Sequence, residues 1–277
     1  MIINADSAQL YADLPILSAA PAAEDLAAAP HTLYGAWDGA TACSAADWAA
    51  RARAAVDAAH AAGVVPILVG GTGLYIRTLL YGIAPVPAID PAVREAVRAL
   101  PVAAAYAALM TQDPVRAAAL HPADTTRIAR ALEVVRSTGH PLAHWQAKLE
   151  GGIGDRVTVD PLILLPDRAW LYERCDRRFQ RMMAGGAVEE VQALLARDLP
   201  PDMPVMRAIG VAEIAGYLHS QWDLDEAIVR GAQATRNYAK RQYTWFRHQL
   251  PEAWPRLVDH HRESFEIASH FVSLFHD

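Results

Sequence analysis

Cysteine is scarce in this chain. Only Cys43 and Cys175 occur among 277 residues. They lie far apart with no histidine at ligand spacing, which argues against a disulfide framework or a zinc site. Two isolated thiols suit a reducing cytosol, and a cytoplasmic location is expected. An excess of positive charge is lacking as well. The formal net charge is -6, so any nucleic-acid site must be a local basic patch on an acidic body. No apolar run is long enough to span a bilayer, and the N-terminus has neither the basic nor the apolar region of a secretory signal. The eleven histidines form no H-E-x-x-H, and no G-x-S-x-G elbow occurs, so a metalloprotease and a serine hydrolase are unsupported. His260 and His261 are adjacent and cannot share a helical face; His270 and His276 sit near the end.

What is present is globular. Hydrophobic residues make up 53% and charged residues 20%, enough for one large domain or two moderate ones. Ile2 and Ile3 read as the end of a buried strand, followed by a polar break at Asn4–Ala8. Residues 14–43, rich in Ala, Pro and Gly, read as irregular surface. Ser44 with Asp47 makes a capping box for a helix that Gly63 stops. "VVPILV" (64–69) is a short buried strand, turned by "GGTGLY" into another helix. Helix, strand, Gly-rich turn, helix is the rhythm of a parallel α/β sheet. After the stiff "PVPAIDP" the chain turns helical to about residue 150, which reads as an inserted helical domain. "VTVDPLILLP" (157–166) returns to strand, and helices are expected at 168–184, 187–197, about 205–218 and about 224–249.

Several stretches could carry chemistry. Asp6 lies just past an apolar strand, where α/β proteins keep their sites, but it is also a ready helix cap. Strand ends in a parallel sheet share a face, so Asp6 and Thr72 of "GGTG" could converge on one substrate. The glycines there admit a ligand to the backbone, or merely turn the chain. "ATRNYAKRQYTWFR" interleaves Arg236, Lys240, Arg241 and Arg247 with Tyr238, Tyr243, Trp245 and Phe246. It is either a solvated face over an aromatic core or a phosphate-contacting, base-stacking helix. Arg127, Arg130 and Arg136 form a second basic cluster, with Glu133 as a possible partner. Arg207 precedes a Gly210 suited to close packing.

Taken in this order, "ADSAQLY", "SAADW", "PILVGGTGLYIRTLLYGIAPVP", "HPADTTRIARALEVVRSTGHP" and "ATRNYAKRQYTWFR" closely resemble bacterial tRNA dimethylallyltransferases, the isopentenyltransferase family, from Ile2 to about Trp254. The resemblance implies a P-loop-NTPase-like α/β core, a parallel sheet flanked by helices, at 1–86 and 151–277. It also implies an all-helical tRNA-binding insertion at 87–150. It implies transfer of a dimethylallyl group from dimethylallyl diphosphate to N6 of the adenosine just 3′ of the anticodon, with diphosphate leaving and Mg²⁺ as its counter-ion.

By the same resemblance Asp6 matches the family's base and Thr72 a hydrogen-bonding group near the reacting centre. The anticodon stem-loop contacts fall on Asp6, Ser7, Ala8 and Gln9, on Arg94, and on Thr126, Arg127, Ile128, Ala129 and Arg130. They continue over Arg207, Ala208, Ile209, Gly210, Val211 and Ala212, and over Lys240, Arg241, Gln242, Tyr243, Thr244, Trp245, Phe246 and Arg247. Arg207 matches a diphosphate contact, and no protein metal ligand is expected. The family often has Gln at the position of Thr126 and Tyr at that of Val211. It also begins with a strand and a G-x-x-x-x-G-K-[ST] phosphate loop, absent from this sequence. The expectation is that the chain starts at the family's second strand. A monomer is expected. The alternatives are an inactive tRNA-binding remnant or a P-loop small-molecule kinase; the latter leaves the aromatic-basic helix unexplained.

Overall fold

The computed structural model describes residues 1–258; His260, His261, His270 and His276 lie outside the described residues. In chain order the elements are β1 (Ile2–Asn4), α1 (Ala23–Ala28), β2 (His31–Thr32), α2 (Ala45–Ala61), β3 (Ile67–Val69) and α3 (Gly73–Tyr81). There follow α4 (Pro91–Arg98), α5 (Val102–Gln112), α6 (Pro114–Ala118), α7 (Thr125–Thr138) and α8 (Leu142–Gln146). The last are β4 (Ile163–Leu164), α9 (Arg168–Ala184), α10 (Ala187–Leu195), α11 (Val211–Leu218), α12 (Leu224–Gln249) and β5 (Arg256–Leu257). Two compact units result: residues 1–77 with 158 onward, and residues 78–157.

In the first unit β1 is the middle strand of a parallel sheet ordered β2-β1-β3. Its register sets Ile3 beside Thr32 and Leu68, and Asn4 beside Val69. A middle strand has neighbours on both sides, and Ile3, Asn4 and Ala5 are fully buried. β4 and β5 form a separate parallel pair, Ile163 opposite Arg256. Trp48 of α2 is fully buried, donates its indole N–H to the Asn4 carbonyl at 2.9 Å, and stacks on Tyr75 of α3 at 4.7 Å. A buried indole N–H needs such an acceptor. α9 packs on α12, where Gly231 lets the Phe179 ring lie against the helix backbone; a Cβ there would overlap the ring.

The second unit is a helical cluster with its own core of Val97, Leu109, Ile128 and Leu132. Asp90, Asp113 and Asp124 cap α4, α6 and α7 by accepting amide hydrogens, and Gly139 at φ 73° ends α7. The unit reaches beyond the expected 87–150 at both ends. Ile83 and Glu150 exchange two backbone hydrogen bonds, and Ile153 donates to the Leu79 carbonyl, tying the flanks together.

Helices α9 and α12 have the bounds the sequence indicates. Strand β3 is shorter than expected because Pro66 has no N–H to offer a neighbour, and β4 keeps two residues between Pro161 and Pro166. The region 14–43 is not wholly irregular, since it holds α1 and β2. The segment 205–218 is broken: a 3-10 turn at Val205–Arg207 precedes α11, with Gly210 at φ 98° between them.

Candidate functional site

The site begins where β1 stops. Buried Asn4 donates its side-chain amide to the carbonyls of Leu33 and Asp6, each at 3.0 Å, and accepts the Asp6 N–H at 2.8 Å. That fixes the turn carrying Asp6. One Asp6 oxygen accepts the Ala8 N–H at 2.9 Å, so Asp6 does serve as a local cap. No described hydrogen bond takes the other oxygen. Burial pushes the Asp6 carboxyl above its ordinary proton affinity; the Ala8 amide and the Arg178 charge pull the other way without cancelling the rise.

Thr72 arrives from the end of β3. Its hydroxyl accepts the Ser7 N–H at 2.9 Å and lies 3.2 Å from the Ser7 hydroxyl, and its own N–H donates to the Ala5 carbonyl. Asp6, Ser7 and Thr72 are thus held together. The glycines beside Thr72 are accounted for by packing: a Cβ on Gly70 would overlap the Ala5 backbone, one on Gly71 would meet Gln242, and one on Gly73 the Trp245 ring.

A cavity of about 250 Å³ opens on Asp6, Ser7, Ala8 and Gln9 and is closed on another side by Arg207, Ala208 and Ile209. Apart from Tyr238, the sequence reading missed the rest of its wall. Leu14, Leu17, Phe179 and Met182 make it apolar, and Ser18, Cys43, Tyr75, Tyr238 and Arg178 make it polar. Arg178 had a readable signal, for it lies within the apolar stripe Cys175–Phe179–Met182 of α9. The loop carrying Leu17 is fixed by Glu190 of α10, whose carboxylate accepts the amides of Ile16 and Leu17 at 2.6 and 2.9 Å. Gln9, expected on the tRNA, instead donates its amide to the carbonyls of Ser18 and Ala19. Tyr34, Tyr75 and Tyr238 all have hydroxyls pushed up, chiefly by burial and further by the Asp6 charge. Cys43 is pushed up to about 11, mostly by burial.

Along α12, Lys240, Arg241, Thr244 and Arg247 are exposed. Arg241 lies over the Tyr238 ring at 5.5 Å, and Tyr243 lies under Arg168 at 4.7 Å. Trp245 and Phe246 meet edge to face at 5.3 Å. Gln242 donates to the Gly71 carbonyl at 3.0 Å, which gives it a packing role. Arg236 is committed to Asp176 and to Gln233. On α11, Ala212 is exposed, while Val211 is buried at its start and Gly210 admits Leu17 and Phe179 where a Cβ would crowd them.

In the helical unit Arg94 and Thr126 are exposed and Ala129 half-buried. Arg127 pairs with Asp124 at 2.9 Å. Arg130 lies 3.9 Å from buried Glu133, which also holds Arg98 at 3.0 Å. Ile128, expected to touch tRNA, is fully buried, so its side chain packs in the unit's core. Val211 is buried as well.

A small parallel sheet with helices packed on it, a carboxylate at the end of its middle strand and a helical unit between β3 and β4 define a P-loop-like α/β protein. The IPP transferase family matches residues 9–249. The tRNA dimethylallyltransferase of Novosphingobium aromaticivorans is 66% identical over 97% of this chain and 96% of its own length. That of Erythrobacter litoralis is 63% identical over 99% of this chain and 86% of its own. Among solved structures, the tRNA isopentenylpyrophosphate transferase of Bacillus halodurans has a TM-score of 0.67 at 30% identity, covering 98% of this chain and 87% of that one. A eukaryotic dimethylallyltransferase acting on tRNA gives 0.73 at 26%, covering 88% and 62%. The chain belongs to the IPP transferase family.

Proposed function

We propose that this chain transfers a dimethylallyl group from dimethylallyl diphosphate to N6 of the adenosine 3′-adjacent to the tRNA anticodon. The observation that carries the reading is Asp6: a half-buried carboxylate with raised proton affinity and one oxygen that no described hydrogen bond takes, at the wall of a cavity that also holds two arginines and an apolar side. An aryl exocyclic amine is a poor nucleophile because its lone pair is delocalised into the ring. In the reaction a bond forms between N6 and the donor's C1, the C1–O bond breaks, diphosphate leaves, and the N6 proton passes to Asp6. General-base assistance of this kind contributes roughly 10²–10⁴-fold. The adenine must leave its stack to reach the cavity.

Thr72 holds Ser7 beside Asp6, Arg207 meets the diphosphate, and Leu14, Leu17 and Met182 exclude water from the five-carbon group. Lys240, Arg241 and Arg247 meet tRNA phosphates, and so do Arg94 and Arg127 of the helical unit. Mg²⁺ fits as the diphosphate's companion. It binds characteristically through substrate phosphates and retained water, and among the described residues no group of three or more His, Cys, Asp or Glu forms a metal cage. When bound it supplies charge neutralisation to the diphosphate. The inactive-remnant alternative draws no support from the relatives. The test is incubation with dimethylallyl diphosphate, Mg²⁺ and unmodified tRNA, followed by mass spectrometry of the nucleosides. N6-dimethylallyladenosine at that one position is expected, and its absence in folded, tRNA-binding protein would overturn the reading.

A further inference from the structure

We propose that Arg178 of α9 is a positioning residue for Asp6: its guanidinium keeps the carboxylate in the anionic, proton-accepting form while an anionic donor shares the cavity. The inference rests on the reading of Asp6 as base. Arg178 and Asp6 line the same cavity, and Arg178 forms no ion pair with any described carboxylate. Its neighbours on α9 are otherwise spent. Arg177 pairs with Glu173, Arg174 lies over the Trp170 ring, and Asp176 takes Arg236 from α12. Arg178 is itself exposed, beside the buried Cys175, Phe179 and Met182 of the same helix.

The other titratable groups near Asp6 supply no competing charge. Tyr11, Tyr34, Tyr75 and Tyr238 have hydroxyls pushed up, and Cys43 titrates at about 11, so all are neutral near pH 7. Arg207 also lines the cavity and bears on Tyr11, while Arg178 bears on both Asp6 and Cys175. The Arg178 charge matters because of the donor. A diphosphate entering the cavity places negative charge near a carboxylate already disfavoured by burial, and both effects favour its protonation. A protonated Asp6 cannot accept the N6 proton. Arg178 opposes both, and no described hydrogen bond takes the second Asp6 oxygen, which is left to the amine.

The test is the pH dependence of single-turnover transfer at saturating donor and tRNA, with Asp6 titrated in parallel by ¹³C NMR of its carboxyl. Arg178→Gln is expected to move the acid limb, and the NMR midpoint, to higher pH by about one unit, with the high-pH plateau within a few-fold of the original. Arg178→Lys restores most of the shift. Arg207→Gln raises the donor KM and leaves the limb in place. An unmoved NMR midpoint in Arg178→Gln overturns the proposal, and a raised donor KM in that variant then marks Arg178 as a diphosphate contact. Failure of the base reading looks different: the midpoint moves, but transfer in Asp6→Asn stays near the original rate.

Discussion

One arginine cluster in each unit is spent differently. In the helical unit Arg98 and Arg130 gather on Glu133, whose side chain is only 4% exposed. In the sheet-bearing unit Arg178 and Arg207 line a cavity and pair with no described carboxylate. Both sets look alike in sequence, as basic residues among apolar ones. The difference is the company each keeps. An arginine whose donors are already satisfied by a buried carboxylate is part of the fold, whereas one left facing a cavity is available to an anion. A count of positive residues therefore overstates the charge offered to RNA. Even on α12, Arg236 is withdrawn by Asp176, while Lys240 and Arg247 are exposed and form no ion pair among the described residues.

The largest expected effect lies at the cavity. Asp6→Ala should cut turnover by roughly 10²–10⁴-fold, with tRNA affinity changed far less because phosphate contacts dominate binding. Quench-flow kinetics beside filter binding makes the comparison, and near-normal turnover would reduce Asp6 to the cap it also is. For wild type, burial has raised the Asp6 proton affinity, so activity is lost on acidification at a pH above that of an exposed carboxylate. A limb in the ordinary carboxylate range would contradict this.

The next effect belongs to the helical unit. Ile128→Ala should cost about 2–5 kcal/mol by opening a cavity in that core, read as a lower thermal midpoint. If Ile128 served tRNA directly, binding would fall while stability held. A smaller effect separates the two kinds of arginine on one helix. Lys240→Ala and Arg247→Ala should each flatten the log–log salt dependence of tRNA binding by roughly 0.7–0.9, and Arg236→Ala should leave that slope unchanged. Equal slopes in all three variants would erase the distinction. The smallest is a cap. Asp223 accepts the Glu226 N–H at 2.8 Å at the start of α12, and Asp223→Ala should cost about 1 kcal/mol of stability without altering turnover. A change in turnover would mean that the start of α12 helps shape the cavity.

Local chemistry determined much of this protein from the sequence alone. Caps set the starts of α2, α9 and α12, and Gly63 at φ 67° ends α2, because an N-cap carboxylate or hydroxyl and a positive-φ glycine act within one turn of their own position. The apolar strands flanking Asp6 and Thr72 set their shared end of the sheet, since parallel strands present their ends on one face. Short strands escaped the reading: β2 and β5 hold two residues each and exist only through their neighbours. Which side chains face a ligand was decided by the tertiary structure. Ile128 and Val211 lie in stretches that read as RNA contacts yet point inward, and Gln9 and Gln242 spend their amides on backbone carbonyls. Arg178, Ser18 and Tyr238 come from segments distant in sequence and become site residues only when α9, the loop after β1 and α12 close around one cavity. Availability is a property of what surrounds a side chain, and most of those surroundings are far away along the chain.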